Sequence, residues 1–337
     1  STSPRRAPSR RRHPSEGAVL HLGPDGRLTR LLEGIHYSNG VALSPDGGRL
    51  ALTLFGPPEP EGTPRRIWLY SAASGELRAF THSAKSERMP RFSPDGRQLA
   101  FLSNREGDDQ IYLMPIDGGE ARRLTRGVGA VSQLKWSPDG QSLAFLAQRA
   151  RTAEEEAREK SREDARVYEK DDRYPQVYTV EVATGEIRLR LGAPWRANDL
   201  VWAPHVGRLY VAATEDESAP LLKYQVFALD AAGSEPVPLA QIEGPIGQLG
   251  ISPDGVWLSY LGCRERGPSK HDLFLVPTGG GAPRNLSASQ VDHTLESYRL
   301  ASGRPPGRLG DVRLPLPPGR DRPRRRGEDL ALARDGL

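Results

Sequence analysis

A dozen residues recur along this chain, and that recurrence constrains its fold more than any other feature. FSPDGRQLAFLS runs from Phe92 to Ser103, with LSPDGGRLALT from Leu43, WSPDGQSLAFLA from Trp136 and ISPDGVWLSYLG from Ile251. A degenerate copy, WAPHVGRLYVAAT, starts at Trp202. The motif proline falls at Pro45, Pro94, Pro138, Pro204 and Pro253, giving spacings of 49, 44, 66 and 49 residues. A period of about 45 residues is that of a four-stranded propeller blade.

A second element recurs in phase with the first. It reads RIWLYSAASGELRAFT from Arg66, QIYLMPIDGGEARRLT from Gln110, QVYTVEVATGEIRLRL from Gln176, QVFALDAAGSEPVPLA from Gln225 and DLFLVPTGGGAPRNLS from Asp272. Each is an apolar-alternating run, a glycine-containing turn and a second extended run, the pattern of a β-hairpin. The SPDG element predicts another hairpin. Proline presets φ, aspartate bonds the backbone two residues on, and glycine tolerates positive φ. The R-x-L-A-F/L that follows predicts a strand with one alternating buried face. Two hairpins per unit make four strands. The expected fold is therefore an all-β propeller of four-stranded blades, with five complete units at about 36–81, 87–125, 131–191, 197–240 and 246–287.

Fragments flank these units. AVLHLGPDGRLTRLL (Ala18 to Leu32) reads as an unpaired second hairpin and HTLESYRL (His293 to Leu300) as the first strand of a partial sixth blade. A ring with missing strands leaves open edges, and open edges pair with other chains, so self-association is expected. The 66-residue spacing marks an insertion at 148–174, rich in helix formers and in opposite charges such as Glu154 and Arg158 four residues apart. It is expected to be a charged helical excursion within the third blade.

Charge is unevenly placed. The net charge is +4, yet residues 1–16 carry five Arg against one Glu, and residues 301–337 carry nine Arg against five acids. The body between them is mildly acidic. Such ends are expected to be disordered, a basic N-terminus at 1–16 and an Arg/Pro/Gly-rich tail at 301–337 around a propeller at 17–300. They are not the basic face of a nucleic-acid binder. The tail has six Pro, six Gly and no aromatic residue, a composition that cannot bury a core, and a reading-frame break near Leu300 is one expected origin. No apolar run approaches the roughly 20 residues that span a bilayer, and no secretory leader is visible, so neither a membrane nor export is expected. The one cysteine, Cys263, cannot form an internal disulfide, which fits a cytoplasmic setting.

The order of these elements resembles the N-terminal propeller of the prolyl oligopeptidase family of serine peptidases, its acylaminoacyl-peptidase-like branch most of all. The residues that carry the resemblance are FSPDGRQLAFLSNREGDDQIYLMPIDGGEARRLT (Phe92 to Thr125), WSPDGQSLAFLA and the charged EEEAREKSREDARVYEKDD. The SPDG hairpin is shared with TolB propellers. The resemblance implies a lid that limits access of peptides to a separate α/β-hydrolase domain holding the catalytic triad. This sequence contains no G-x-S-x-G elbow for a strained, exposed nucleophile and no HGG-type oxyanion loop. No catalytic residue is therefore carried over, no cofactor is expected, and the chain alone is expected to be inactive, with a peptide or a protein as its partner.

Two other functions compete. One is a TolB-like propeller that binds proteins. The other is a calcium-dependent lactonase of the gluconolactonase and strictosidine-synthase type, which LLEGIHYSNGVALSPDG (Leu31 to Gly47) resembles. That likeness would make Asn39 a metal ligand, with Asn198 and Asp199 as the equivalent residues of a later blade. Calcium takes six to eight oxygens, which three residues do not supply. The seven histidines have no zinc-type spacing, and no nucleotide-binding glycine loop is present.

Overall fold

In this computed structural model the described residues are 16–22, 28–36, 40–55, 63–161, 174–205, 207–215, 223–230, 235–263 and 271–287. The expectations for 1–15, 162–173, 293–300 and 301–337, and for Asn39, lie outside them. The chain divides into two compact units, Ser1–Arg126 and Gly127–Leu337.

In the first unit, β1 (Glu16–Leu22) and β2 (Leu28–His36) form an antiparallel two-stranded sheet. Two four-stranded antiparallel sheets follow in sequence order. The first is β3 (Val41–Leu43), β4 (Arg49–Phe55), β5 (Arg65–Ser71) and β6 (Leu77–Ala79). The second is β7 (Glu87–Phe92), β8 (Gln98–Ser103), β9 (Gln110–Pro115) and β10 (Arg122–Arg123). The second unit holds three more. They are β11 (Val131–Trp136), β12 (Ser142–Ala147), β13 (Gln176–Glu181) and β14 (Ile187–Leu191); β15 (Arg196–Trp202), β16 (Arg208–Thr214), β17 (Lys223–Asp230) and β18 (Val237–Glu243); and β19 (Ile246–Ile251), β20 (Trp257–Cys263), β21 (His271–Pro277) and β22 (Arg284–Asn285). Each sheet is a simple meander, and the five sheets are the blades of a β-propeller. Among the described residues one helix, α1 (Ala153–Ser161), lies between β12 and β13. Thr152 caps it: the Glu155 N–H donates to Thr152 Oγ1 and the Thr152 N–H donates back to Glu155. Among the described residues no helix is long and apolar enough to cross a membrane.

The repeated SPDG is a turn with a fixed internal wiring. In four blades the serine hydroxyl donates to the aspartate two residues on, Ser44 to Asp46, Ser93 to Asp95, Ser137 to Asp139 and Ser252 to Asp254, at 2.5–2.6 Å. The same aspartate oxygen accepts the next backbone N–H, from Gly48, Arg97, Gln141 and Val256, at 3.0 Å. The serine oxygen in turn accepts the N–H that opens the second strand, from Arg49, Gln98, Ser142 and Trp257. Glycine is required between them: Gly96 sits at φ +70°, where a Cβ is strained. These bonds stabilise the charged form, so the four carboxyls are held below the usual aspartate value, first by the serine hydroxyl and then by the backbone N–H.

The second strand of each blade departs from the expected single buried face. In β8, β12, β16 and β20 every residue after the first is buried. The reason is visible in β16. Leu209, Val211 and Ala213 enter one core with Leu146, Val177 and Phe227, while Tyr210 and Ala212 enter another with Leu249, Leu258 and Tyr260. A blade of this kind is covered on both faces, so its central strand reads as a continuous apolar run and not as an alternation. Three blades also repeat one cross-strand aromatic pair, Phe101–Tyr112, Phe145–Tyr178 and Tyr260–Phe274, with ring centroids 5.2–6.1 Å apart.

Candidate functional site

The first strand of each blade is an edge strand, and four of the five carry an irregularity at the same place. The ladder slips between Arg88 and Arg91, Val131 and Gln133, Ala197 and Asp199, and Gly247 and Gly250. An extra residue in one strand re-aims the side chains around it. Counting four residues back from the first turn position of the repeat gives Gly40, Met89, Gln133, Asp199 and Gln248. Met89 and Gln248 hold φ of 55° and 49°, a conformation costly for a side-chain-bearing residue. Gly40, at φ +152°, stands in the same row because a Cβ there would press on Pro90 and Thr53 at 3.4 Å.

In the second unit this row becomes a polar cluster spanning three blades. Asp199 is 8% exposed. Its Oδ1 accepts the N–H of Leu200 and its Oδ2 accepts the N–H of Leu249 on β19, both at 2.8 Å. Burial raises its carboxyl above the usual value, opposed by the Lys135 ammonium, the two N–H donors and Gln133. Gln133 Nε2 donates to the Asn198 carbonyl at 3.5 Å, while Gln133 Oε1 is buried without a protein partner. Asn198 Nδ2 donates to the Ile246 carbonyl, and Trp202 Nε1 donates to the Lys135 carbonyl at 3.2 Å. The structure thus brings Asn198 and Asp199 together, as neighbours on β15. It spends the Asn198 amide nitrogen and both Asp199 oxygens on backbone groups of the next blade and of β15 itself. Among the described residues no three His, Cys, Asp or Glu side chains cluster as metal ligands. Gln133, Lys135 and Gln248 were not singled out from the sequence. The signal that finds them is their place in the repeat, four residues (two for Lys135) before the turn.

The first unit has its own charged cluster. Glu87 is fully buried and paired with Arg105, whose guanidinium also lies 4.5 Å from the Tyr112 ring centroid. Burial pushes Glu87 above the usual glutamate range despite Thr81 and Arg105. Glu106 accepts from Tyr112 and Arg123, each at 2.8 Å; burial, then that bond, pushes the Tyr112 phenol up to about 12. Arg88 pairs with Asp109 at 2.7 Å. These pairs tie the β8–β9 loop to the edge strand, and Glu87 Oε2 stays buried without a hydrogen-bond partner. Cys263 is buried at the end of β20, as a small apolar residue would be.

Residues 65–163 match the family described as the Tricorn protease N-terminal beta propeller domain. The fold is similar to that of the putative TolB from Agrobacterium tumefaciens, at TM-score 0.55 and 18% identity over 77% of this chain and 83% of that one. It is similar also to the Pyrococcus horikoshii acylaminoacyl peptidase, at TM-score 0.57 and 13% identity over 78% of this chain and 41% of that one. This is a β-propeller whose fold is similar to both peptidase propellers and TolB. A stretch of 49 residues is 51% identical to the uncharacterized peptidase YuxL of Bacillus subtilis (strain 168), covering 14% of this chain and 8% of that protein. The propeller thus corresponds to less than half of the acylaminoacyl peptidase and to a small part of the curated relative.

Proposed function

We propose that this propeller is the substrate-filtering part of a serine peptidase of the prolyl oligopeptidase type, binding peptides and leaving bond cleavage to an α/β-hydrolase domain. The observation that supports this reading most is the 51% identity over 49 residues to a peptidase. In this reading the edge strands of the blades, with their irregular polar row, meet the peptide. The charged stretch around α1 is an excursion on the third blade, the basic ends are accessory to the propeller at 17–300, and the setting is cytoplasmic, in keeping with the single thiol of Cys263. Titration of the protein with N-acetylated tripeptides, followed by tryptophan fluorescence and calorimetry, tests it. Saturable binding without hydrolysis of N-acyl p-nitroanilides by the propeller alone is expected. Absence of peptide binding overturns it.

A second reading, a protein-binding propeller of the TolB kind, is favoured by the match to 83% of the Agrobacterium chain. It predicts affinity for a folded partner and none for short peptides.

A further inference from the structure

The edge strand that carries Asp199 opens with Arg196, and the guanidinium of Arg196 lies flat on an aromatic ring. Its central carbon is 3.1 Å from the centroid of Tyr174. The backbone sets up this stack. The Ala197 N–H donates to the Pro175 carbonyl at 2.9 Å, which draws the lead into β13 alongside the start of β15. Trp195, on the other side, is fixed by its N–H on the Gly192 carbonyl at 3.1 Å and by its ring, edge-on to Phe227 at 4.5 Å. In the ladder Arg196 pairs with Thr214 of β16. Tyr224, near the start of β17, feels the same cation: burial raises its phenol and the Arg196 charge opposes that rise.

Other arginines of this unit are engaged by acids. Arg149, Arg188 and Arg208 hold Glu155, Glu186 and Asp230. Arg196 has no carboxylate partner among the described residues, and its Nε is buried without an acceptor. Stacking on a ring uses the face of a guanidinium. Its N–H groups lie in the plane, where two of them match the two oxygens of a carboxylate. A half-buried cation without a counter-charge is costly, and an anion in that plane offsets the cost. We propose that Arg196, on its Tyr174 platform, is a binding site for a carboxylate group. One fork suits one monoanion, held by two parallel N–H···O bonds. The inference rests on the peptide-filtering reading for the source of that group, which is either the C-terminus of a bound peptide or an acidic side chain within it.

Three peptides test this by calorimetry at constant ionic strength: N-acetyl-glycyl-phenylalanyl-glycine, its C-terminal amide, and an amide with glutamate in the middle position. A charged peptide is expected to bind about tenfold more tightly than the neutral amide, and the one that does so identifies the source. Arg196→Gln is expected to abolish that advantage. Arg196→Lys, which keeps the cation and loses the planar fork, is expected to retain only part of it. Equal affinity of all three peptides for the wild type overturns the carboxylate site and leaves the peptide reading standing. An advantage that persists in Arg196→Gln overturns the site too. Binding of none of the three overturns the peptide reading, and the site is then decided with N-acetylglycine as the probe, by nuclear magnetic resonance of the arginine Nε–H signals. A saturable shift of the signal that is missing in Arg196→Lys supports the site, and no shift overturns it.

Discussion

Replacing Ser93 by alanine tests the wiring of the repeated turn. The hydroxyl donates to Asp95 at 2.5 Å and accepts the Gln98 N–H at 2.9 Å, and Ser93 is 4% exposed. Alanine removes both bonds and leaves the Gln98 N–H without its partner at the start of a strand. The Ser93 N–H to Gln98 carbonyl bond, at 2.9 Å, closes the hairpin from the backbone and survives. Losing a buried hydrogen bond and stranding its donor costs about 1–3 kcal/mol, and the retained backbone bond places the expected loss near about 1.5 kcal/mol. The fourth blade is an internal control. Ala203 stands where the other blades have serine, and its N–H still bonds the Arg208 carbonyl at 2.8 Å. The hairpin therefore forms without the hydroxyl, and the substitution should lower stability without changing the fold. Urea unfolding followed by far-ultraviolet circular dichroism measures it. A reduced midpoint with an unchanged slope is expected. A loss below about 0.3 kcal/mol would show that the serine wiring accompanies the turn without stabilising it.

The Asp254→Asn variant should blunt acid sensitivity. Its depressed carboxyl contributes stability present above the unfolded value near 3.8 and lost as pH falls through the folded one, so melts below pH 4 should differ least between variant and wild type. Arg105→Met leaves Glu87 buried beside fewer cations and should cost about 3 kcal/mol, read by thermal unfolding. In that variant the loss should grow as pH rises above 4.5, because burial already holds Glu87 above its ordinary value and deprotonation is what removes stability. Gly40→Ala should cost about 1–3 kcal/mol from backbone conformation and the press on Pro90, whereas Gly75→Ala, with nothing near its Cβ, should pay only for its positive φ.

Much of the fold was legible because blades are written locally. Turn chemistry lies within four residues, and each hairpin follows its turn, so the unit limits read from the sequence nearly coincide with β3–β6, β7–β10, β11–β14, β15–β18 and β19–β22. The two-faced burial of β8, β12, β16 and β20 was not legible in a single repeat. In β16 it depends on the next blade covering the second face, where Tyr210 enters one core with Tyr260, fifty positions on. Nor was the role of the residues that end each blade. Thr81, Thr125 and Ser287 accept the N–H groups of Ile67, Ile111 and Leu273 and so fasten the fourth strand of a blade to its third. In the sequence they look like ordinary polar residues after a strand.

The repeat also explains why the candidate site was hard to read. Positions that build a blade are alike from copy to copy, so the Ser–Asp wiring recurs four times with the same partners and nearly the same distances. Four residues upstream the copies diverge into Gly40, Met89, Gln133, Asp199 and Gln248, and there the structure places the ladder slips and the positive φ angles. A turn needs the same chemistry in every blade. An edge strand needs only main-chain pairing with its inner neighbour, which leaves its side chains free to differ. Asp199 in that row accepts a backbone N–H on each of its two oxygens, which an Asn amide with one acceptor oxygen could not do, yet the hairpin beside it would form with either. Differences among repeats therefore mark where this propeller can be specific, and Asp199, the buried carboxylate in that row, is the first position to change in a peptide-binding assay.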